Sequence, residues 1–281
     1  MTIVTAPPLG LGMTKTWGKL IGSWTLFLKA TGSPSTTREQ RLYHVRRLAS
    51  EIGCEAVEVT LEGLVGWLAS KDWQPNTRRA YRASFRAFWG WLLATGRART
   101  SPAHQLPPVR IPRARPRPAP ESAVKRALLL VSDRRAYFGI RLAAHCGLRR
   151  GEVARVRSSD VEEVLTGWSL RVRGKGGHER IVPLPDDLAR ELMRQPEGWL
   201  FPSSHGGHLT PAYVGKLIAR HLPGDLTTHT LRHRCATVAY AATKDLRAVQ
   251  ELLGHAKPET TAIYTAVPDD DVRRAMLAAA A

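Results

Sequence analysis

The chain has 281 residues, 43% of them hydrophobic, and its 42 lysines and arginines against 24 aspartates and glutamates leave a formal charge of +18. That length can bury two cores, and that charge selects polyanions as partners. No apolar run approaches bilayer-spanning length, and three scattered cysteines, Cys54, Cys146 and Cys235, make neither a disulfide framework nor a zinc ribbon.

Residues 1–13 read as a flexible tail, since Pro7, Pro8 and glycines interrupt any signal-peptide pattern. Residues 14–105 read as a helical domain with helices over Thr14–Ala30, Ser35–Glu51, Leu61–Ser70 and Asn76–Thr95. Pro34 and Pro75 stand near starts, and Gly32, Gly53 and Gly96 near stops. In the last helix Tyr81, Phe85, Phe88 and Leu92 recur at helical spacing and make a core face. Arg78, Arg82 and Arg86 form a second stripe with no acidic residue between Asn76 and Thr95. Both a solvated face and a phosphate-binding face remain open for it.

Residues 106–120, LPPVRIPRARPRPAP, hold six prolines and four arginines. Proline's fixed φ and missing N–H forbid helix and central strand there, so an extended linker is predicted. A stiff spacer needs no arginine; the alternating cations Arg110, Arg113, Arg115 and Arg117 favour a path along phosphates.

Residues 121–281 read as a mixed domain. Glu121–Val131 and Arg134–Cys146 are predicted helices, Gly147 a break, and a short helix starts at Arg150. Trp168–Arg173 and Glu179–Pro183 are predicted strands, joined by a GKGG turn that holds Lys175 at its tip. Helices return from Thr210. In the final segment, Pro268–Ala281, Asp269, Asp270 and Asp271 complement the helix dipole. The predicted fold class is mainly α with a small β-sheet (α+β).

The stretch THTLRHRCAT, 228–237, sets His229 and His233 four apart with Arg232 between them. Zinc proteases use such a pair but follow the first histidine with glutamate, where this chain has Thr230. A permanently charged guanidinium would also repel a divalent cation. Arginine and histidine N–H groups suit phosphate oxygens instead, and neither a metal nor a cofactor is expected.

Four segments, CGLRRGEV (146–153), RGKGGHERIVPL (173–184), THTLRHR (228–234) and LLGHAKPETTAIYT (252–265), together resemble the tyrosine recombinase, or phage integrase, family. The resemblance runs from Glu121 to the end, and the part before the linker looks like that family's core-binding domain. It implies that Arg149 and Arg232 are catalytic arginines, Glu152 their supporting acid, Lys175 the general acid of the hairpin, His229 the acceptor for the phenolic proton, His255 a phosphate ligand and Tyr264 the nucleophile. The implied reaction cuts and rejoins DNA through a 3′-phosphotyrosine.

The resemblance further implies double-stranded DNA with attachment core sites as partner, a homo-tetramer on two duplexes joined through Pro268–Ala281, and a bacterial, nucleoid-associated cytoplasmic protein. An accessory directionality factor is a candidate partner. Among biological roles the integrase of a phage or mobile element is preferred. A Xer-like chromosome-dimer resolvase, a non-catalytic DNA-binding regulator and a type IB topoisomerase are the alternatives. About a dozen residues precede the first helix, too few for a separate arm-reading domain, so recombination on short core sites is expected.

Overall fold

The computed structural model describes residues 14–112, 116–174 and 177–254. Several residues singled out above lie outside these: the 1–13 tail, Arg113, Arg115, Lys175, His255, Tyr264 and the Pro268–Ala281 segment. The chain divides into two compact units, Met1–Arg113 and Ala114–Ala281.

The first unit contains α1 (Lys15–Ala30), α2 (Ser35–Glu51), α3 (Leu61–Ala69) and α4 (Pro75–Ala94). Each bound falls within one residue of the sequence expectation, because proline and capping residues mark them. Thr14, read as the first residue of α1, is its N-cap: its hydroxyl accepts the Trp17 N–H. Large aromatics fill the core, with Trp17, Trp24, Phe85, Phe88 and Trp89 essentially inaccessible to solvent. Trp17 stacks on Phe88 at 5.7 Å between ring centroids, and Trp89 meets Phe88 edge-on at 5.3 Å.

Along α4 the arginine stripe takes a role neither sequence reading anticipated. Arg78 donates to the carbonyls of Trp73 and Lys71 at 3.1 and 3.0 Å, and Arg82 donates twice to that of Leu106 at 3.0 and 2.8 Å. Arg86 reaches the His104 carbonyl at 2.7 Å. Among the described residues none of the three forms an ion pair, and the guanidiniums satisfy backbone carbonyls outside the α-helices and the sheet. The described residues of 106–120 contain no helix or strand, as their prolines dictate.

The second unit contains α5 (Glu121–Leu130), α6 (Arg134–Ala144), α7 (Arg150–Val153), β1 (Val161–Val164), β2 (Gly167–Arg173), β3 (Glu179–Leu184), α8 (Asp186–Met193), α9 (Pro211–Ala219), α10 (Thr228–Thr243) and α11 (Leu246–Leu253). Its strands form an antiparallel sheet in the order β1-β2-β3, with Val164 opposite Gly167 and Arg173 opposite Glu179. Phe138, Ile140, Leu142, Leu170, Leu188 and Ile218 belong to its core. The fold is mainly α with a small β-sheet, as expected. No described helix is long and apolar enough to cross a membrane.

Three features depart from the sequence reading. Helix α6 stops at Ala144, two residues early, because Gly147 takes a left-handed φ of 66° and the Leu148 N–H turns back to the Leu142 carbonyl. The predicted hairpin has a third strand, β1, whose sequence VEEV lacks polar alternation and is held by pairing with β2. Helix α8 was unpredicted. Its eight residues are too few for a full periodic signal, and the burial of Leu188, Ala189 and Leu192 stabilises it.

Candidate active site

The site is built around one buried carboxylate. After the turn at Gly147 the chain places Arg149 at the N-cap of α7, and Glu152 three residues on reaches back to it. The Arg149 N–H donates to Glu152 Oε2 at 2.8 Å, and its guanidinium donates to Oε1 at 2.9 Å. Arg180, from β3, sets a two-pronged fork on the same carboxylate at 2.8 and 2.9 Å. Arg232, from α10, brings its Nη1 within 3.8 Å of Oε2.

The carboxylate is 4% exposed. Burial alone raises its pKa, but the Arg180 hydrogen bonds and charge, with the Arg149 N–H and guanidinium behind them, hold it down to about 2. Glu152 is therefore ionised at any working pH. Three guanidiniums, those of Arg149, Arg180 and Arg232, thus gather around one carboxylate.

The same guanidiniums also hold the C-terminal end of α11. Arg180 Nε donates to the Leu252 carbonyl at 3.3 Å, and Arg232 Nη2 to that of Leu253 at 2.7 Å. Arg149 donates to the carbonyls of Leu253 and Gly254, both at 3.3 Å. Arg232 further bonds the Gly147 carbonyl. A helix C-terminus exposes unpaired carbonyls at the negative end of its dipole, so it draws cations. Gly254 ends the helix with φ 62°, and a Cβ there would stand 2.8 Å from Arg180 Cδ. The chain toward His255 and Tyr264 thus leaves from a point fixed by three arginines.

Helix α10 carries the two histidines. Thr227 caps it, accepting the His229 N–H, and Thr230 accepts the Thr227 N–H at 2.9 Å. The His229 and His233 rings meet edge to face at 4.2 Å. Burial, then the charges of Arg232 and Arg149, lowers the His229 pKa below the ordinary imidazole value. Burial, then His229 and Arg232, lowers that of His233 to about 4. Both rings are neutral near pH 7 and able to accept a proton or a hydrogen bond. Among the described residues no group of three or more His, Cys, Asp or Glu is placed to hold a metal ion.

Of the residues marked from sequence, the structure brings Arg149, Glu152, Arg232 and His229 together. Arg78, Arg82 and Arg86 belong to the other unit. Arg110 and Arg117 are exposed, with Arg117 3.5 Å from Asp225. Arg180 was missed. Its signal was present: Arg180, Val182 and Leu184 share one face of β3, so an arginine points where the strand buries its apolar residues and needs a buried counter-charge there.

Residues 119–270 match the model of the phage integrase family, more than half of the chain. The chain belongs to that family. This recombinase is 31% identical over 233 residues to tyrosine recombinase XerD of Caulobacter vibrioides, a match covering 74% of this chain and 76% of the relative. It is 30% identical over 273 residues to tyrosine recombinase XerC of Myxococcus xanthus, covering 84% and 88%. Its fold is that of a lambda integrase(75–356) dimer bound to a COC′ core site, with a TM-score of 0.70 at 17% identity over 88% of this chain and 94% of the other. XerH recombinase bound to its difH substrate gives 0.65 at 18% identity over 97% and 99%. The recombinase is a site-specific enzyme of DNA strand cleavage and rejoining.

Proposed function

We propose that this recombinase cuts DNA by attack of Tyr264 on the scissile phosphodiester, with Arg149 and Arg232 bracing its non-bridging oxygens. The supporting observation is the Glu152 cluster: one buried carboxylate draws together Arg149 from the start of α7 and Arg232 from α10, two cations of the kind that stabilise the charge growing on a pentavalent phosphorane. The Tyr264 oxygen bonds to phosphorus, its proton passes to His229, and the bond to the 5′ oxygen breaks. Lys175 gives that oxygen its proton, and His255 supports the phosphate. A 5′ hydroxyl from the partner strand then reverses the sequence, so the bond energy is kept and no nucleotide cofactor is needed.

Glu152 holds the guanidiniums without touching DNA. The same reading assigns residues 14–105 to core-site binding, the 106–120 segment to a path along phosphates, and the working assembly to four subunits on two duplexes. The test is covalent trapping on a nicked core site, where the adduct should map to Tyr264. Cleavage should persist in excess EDTA, and an adduct on any other residue would overturn the assignment.

Its biological task is read as integration of a phage or mobile element, which joins two different duplexes. A second reading, chromosome-dimer resolution, is favoured by relatives named XerC and XerD at about 30% identity. The DNA beside the gene separates them. An attachment site flanking it supports integration; a single site shared by the chromosome and its copy supports resolution.

A further inference from the structure

We infer that Arg180 is a positioning residue for the cleavage step, one that aims Arg149 at the phosphate by locking Glu152 and the end of α11 together. The inference rests on the reading that Arg149 and Arg232 brace the scissile phosphate. Arg180 itself is committed elsewhere: its Nη1 and Nη2 lie on Glu152 and its Nε on the Leu252 carbonyl, whereas the side chain of Arg149 is 45% exposed and can meet a ligand.

Four observations converge on this role. Both Glu152 oxygens take an Arg180 donor, so the carboxylate cannot rotate without breaking a two-point contact. Glu152 in turn holds Arg149 by backbone and by guanidinium. The third Arg180 donor, Nε, reaches the Leu252 carbonyl, one residue from the carbonyl that Arg149 and Arg232 share. Gly254 has no room for a Cβ because the Arg180 stem fills that space. One side chain on β3 therefore sets both the carboxylate that orients the arginine and the helix end from which the chain to Tyr264 departs.

Lysine could supply the charge but not the fork. Arg180→Lys should fold and bind a core site as the parent does, while single-turnover cleavage of a nicked substrate falls about tenfold. Arg180→Ala should lose on the order of 100-fold, the scale of an ångström's misplacement at a reacting centre. Substrate chemistry separates positioning from general damage. A methylphosphonate at the scissile position lacks the non-bridging charge, so it has less need of a well-aimed guanidinium. The defects of Arg180→Lys, Arg180→Ala and Arg149→Ala should all shrink on it.

A substrate with sulfur as the 5′ leaving atom should leave the Arg180 defects unchanged. Selective rescue by sulfur would mean that Arg180 acts through the Lys175 hairpin, and the proposal would fall. It would also fall if the defects were equal on phosphate and methylphosphonate, or if neither variant folded, since Arg180 would then serve stability alone. Normal cleavage by Arg149→Ala would instead sink the phosphate-clamp reading, so the two failures are distinguishable.

Discussion

Glu51 and Glu152, one in each unit, both gather cations, and they end differently. Glu51, in the first unit, takes Arg47 at 3.0 Å, Lys71 at 2.5 Å and the Trp67 indole N–H at 3.1 Å, with its side chain 26% exposed. Its cations then lie over rings: Arg47 is 5.1 Å from the centroid of Trp73, and Lys71 is 5.0 Å from that of Trp67. Glu152 is 4% exposed, and its arginines turn to carbonyls at a helix end. A guanidinium carries five N–H donors at its edge, so edge-on bonds to carbonyls leave its faces open, whereas an aromatic ring covers a face. The carboxylate is common to both; what closes the far side of the cations distinguishes a structural node from a site.

The largest expected difference between them is catalytic. Tyr264→Phe should bind core DNA and form no covalent adduct, since only the phenolic oxygen is lost. Arg232→Ala should cut about 1000-fold more slowly, the scale of losing a preorganised charge at a transition state. Glu51→Gln should leave the single-turnover cleavage rate within a factor of about two of the parent, since Glu51 belongs to the unit that lacks the Glu152 cluster. A cleavage defect in Glu51→Gln as deep as that of Arg232→Ala would erase the distinction.

Stability should separate the nodes next. Glu152→Gln keeps the shape of the side chain but leaves Arg180 and the 3% exposed side chain of Arg232 without their carboxylate. Removing one partner from a buried ion pair costs about 3 kcal/mol or more. Glu51→Gln, at a node open to solvent, should cost about 1 kcal/mol. Urea unfolding of each variant gives the comparison, and equal costs would show that the exposure of the node does not govern its strength.

The sequence made much of this legible, for physical reasons. Helices starting near Pro34 and Pro75 were readable because those residues act locally on the backbone, whereas the break at Gly147 was read but the end of α6 before it was set two residues late. Arg149, Glu152, His229 and Arg232 were marked because CGLRRGEV and THTLRHR resemble segments of a known family, and the structure brings the four together. Helix α8 and strand β1 were not, since tertiary burial and pairing stabilise what their short sequences leave ambiguous. The grip of Arg149, Arg180 and Arg232 on the end of α11 spans 104, 72 and 21 residues of chain, a closure no local pattern encodes.

Acid should weaken both units, and the sign follows from two histidines. His44, 5% exposed beside Ser84 and stacked at 3.8 Å on Tyr81, has its pKa lowered to about 4, first by burial and then by the charge of Arg47. In the unfolded chain it titrates near 6.5. Between those values the unfolded state binds the extra proton, so stability is full above pH 6.5 and falls as pH drops toward 4. At pH 5 the loss from His44 alone is about 2 kcal/mol. His233, also lowered to about 4, adds a loss of the same sign in the second unit. His44→Gln should flatten the pH dependence of the first unit's unfolding and leave that of the second unchanged. A first unit equally acid-sensitive without His44 would mean that another group carries the effect.

The smallest effect tests whether an arginine occupied by carbonyls still serves DNA. Arg82 spends its Nε and Nη2 on the Leu106 carbonyl, while Arg110 is exposed. A phosphate contact that releases a counterion contributes about 0.9 to the slope of log affinity against log salt. Arg110→Gln should lower that slope by about one contact at unchanged stability. Arg82→Gln should leave the slope nearly unchanged and cost the first unit about 1 kcal/mol, the net worth of a hydrogen bond. The converse result, in which Arg82→Gln takes a full contact from the slope with no loss of stability, would mean that DNA draws the guanidinium off its carbonyl. Carbonyl bonding would then be a resting position for cations in this chain rather than their task. The bonds of Arg149 and Arg232 to the end of α11 would have to be read in the same way, as contacts yielded when phosphate arrives.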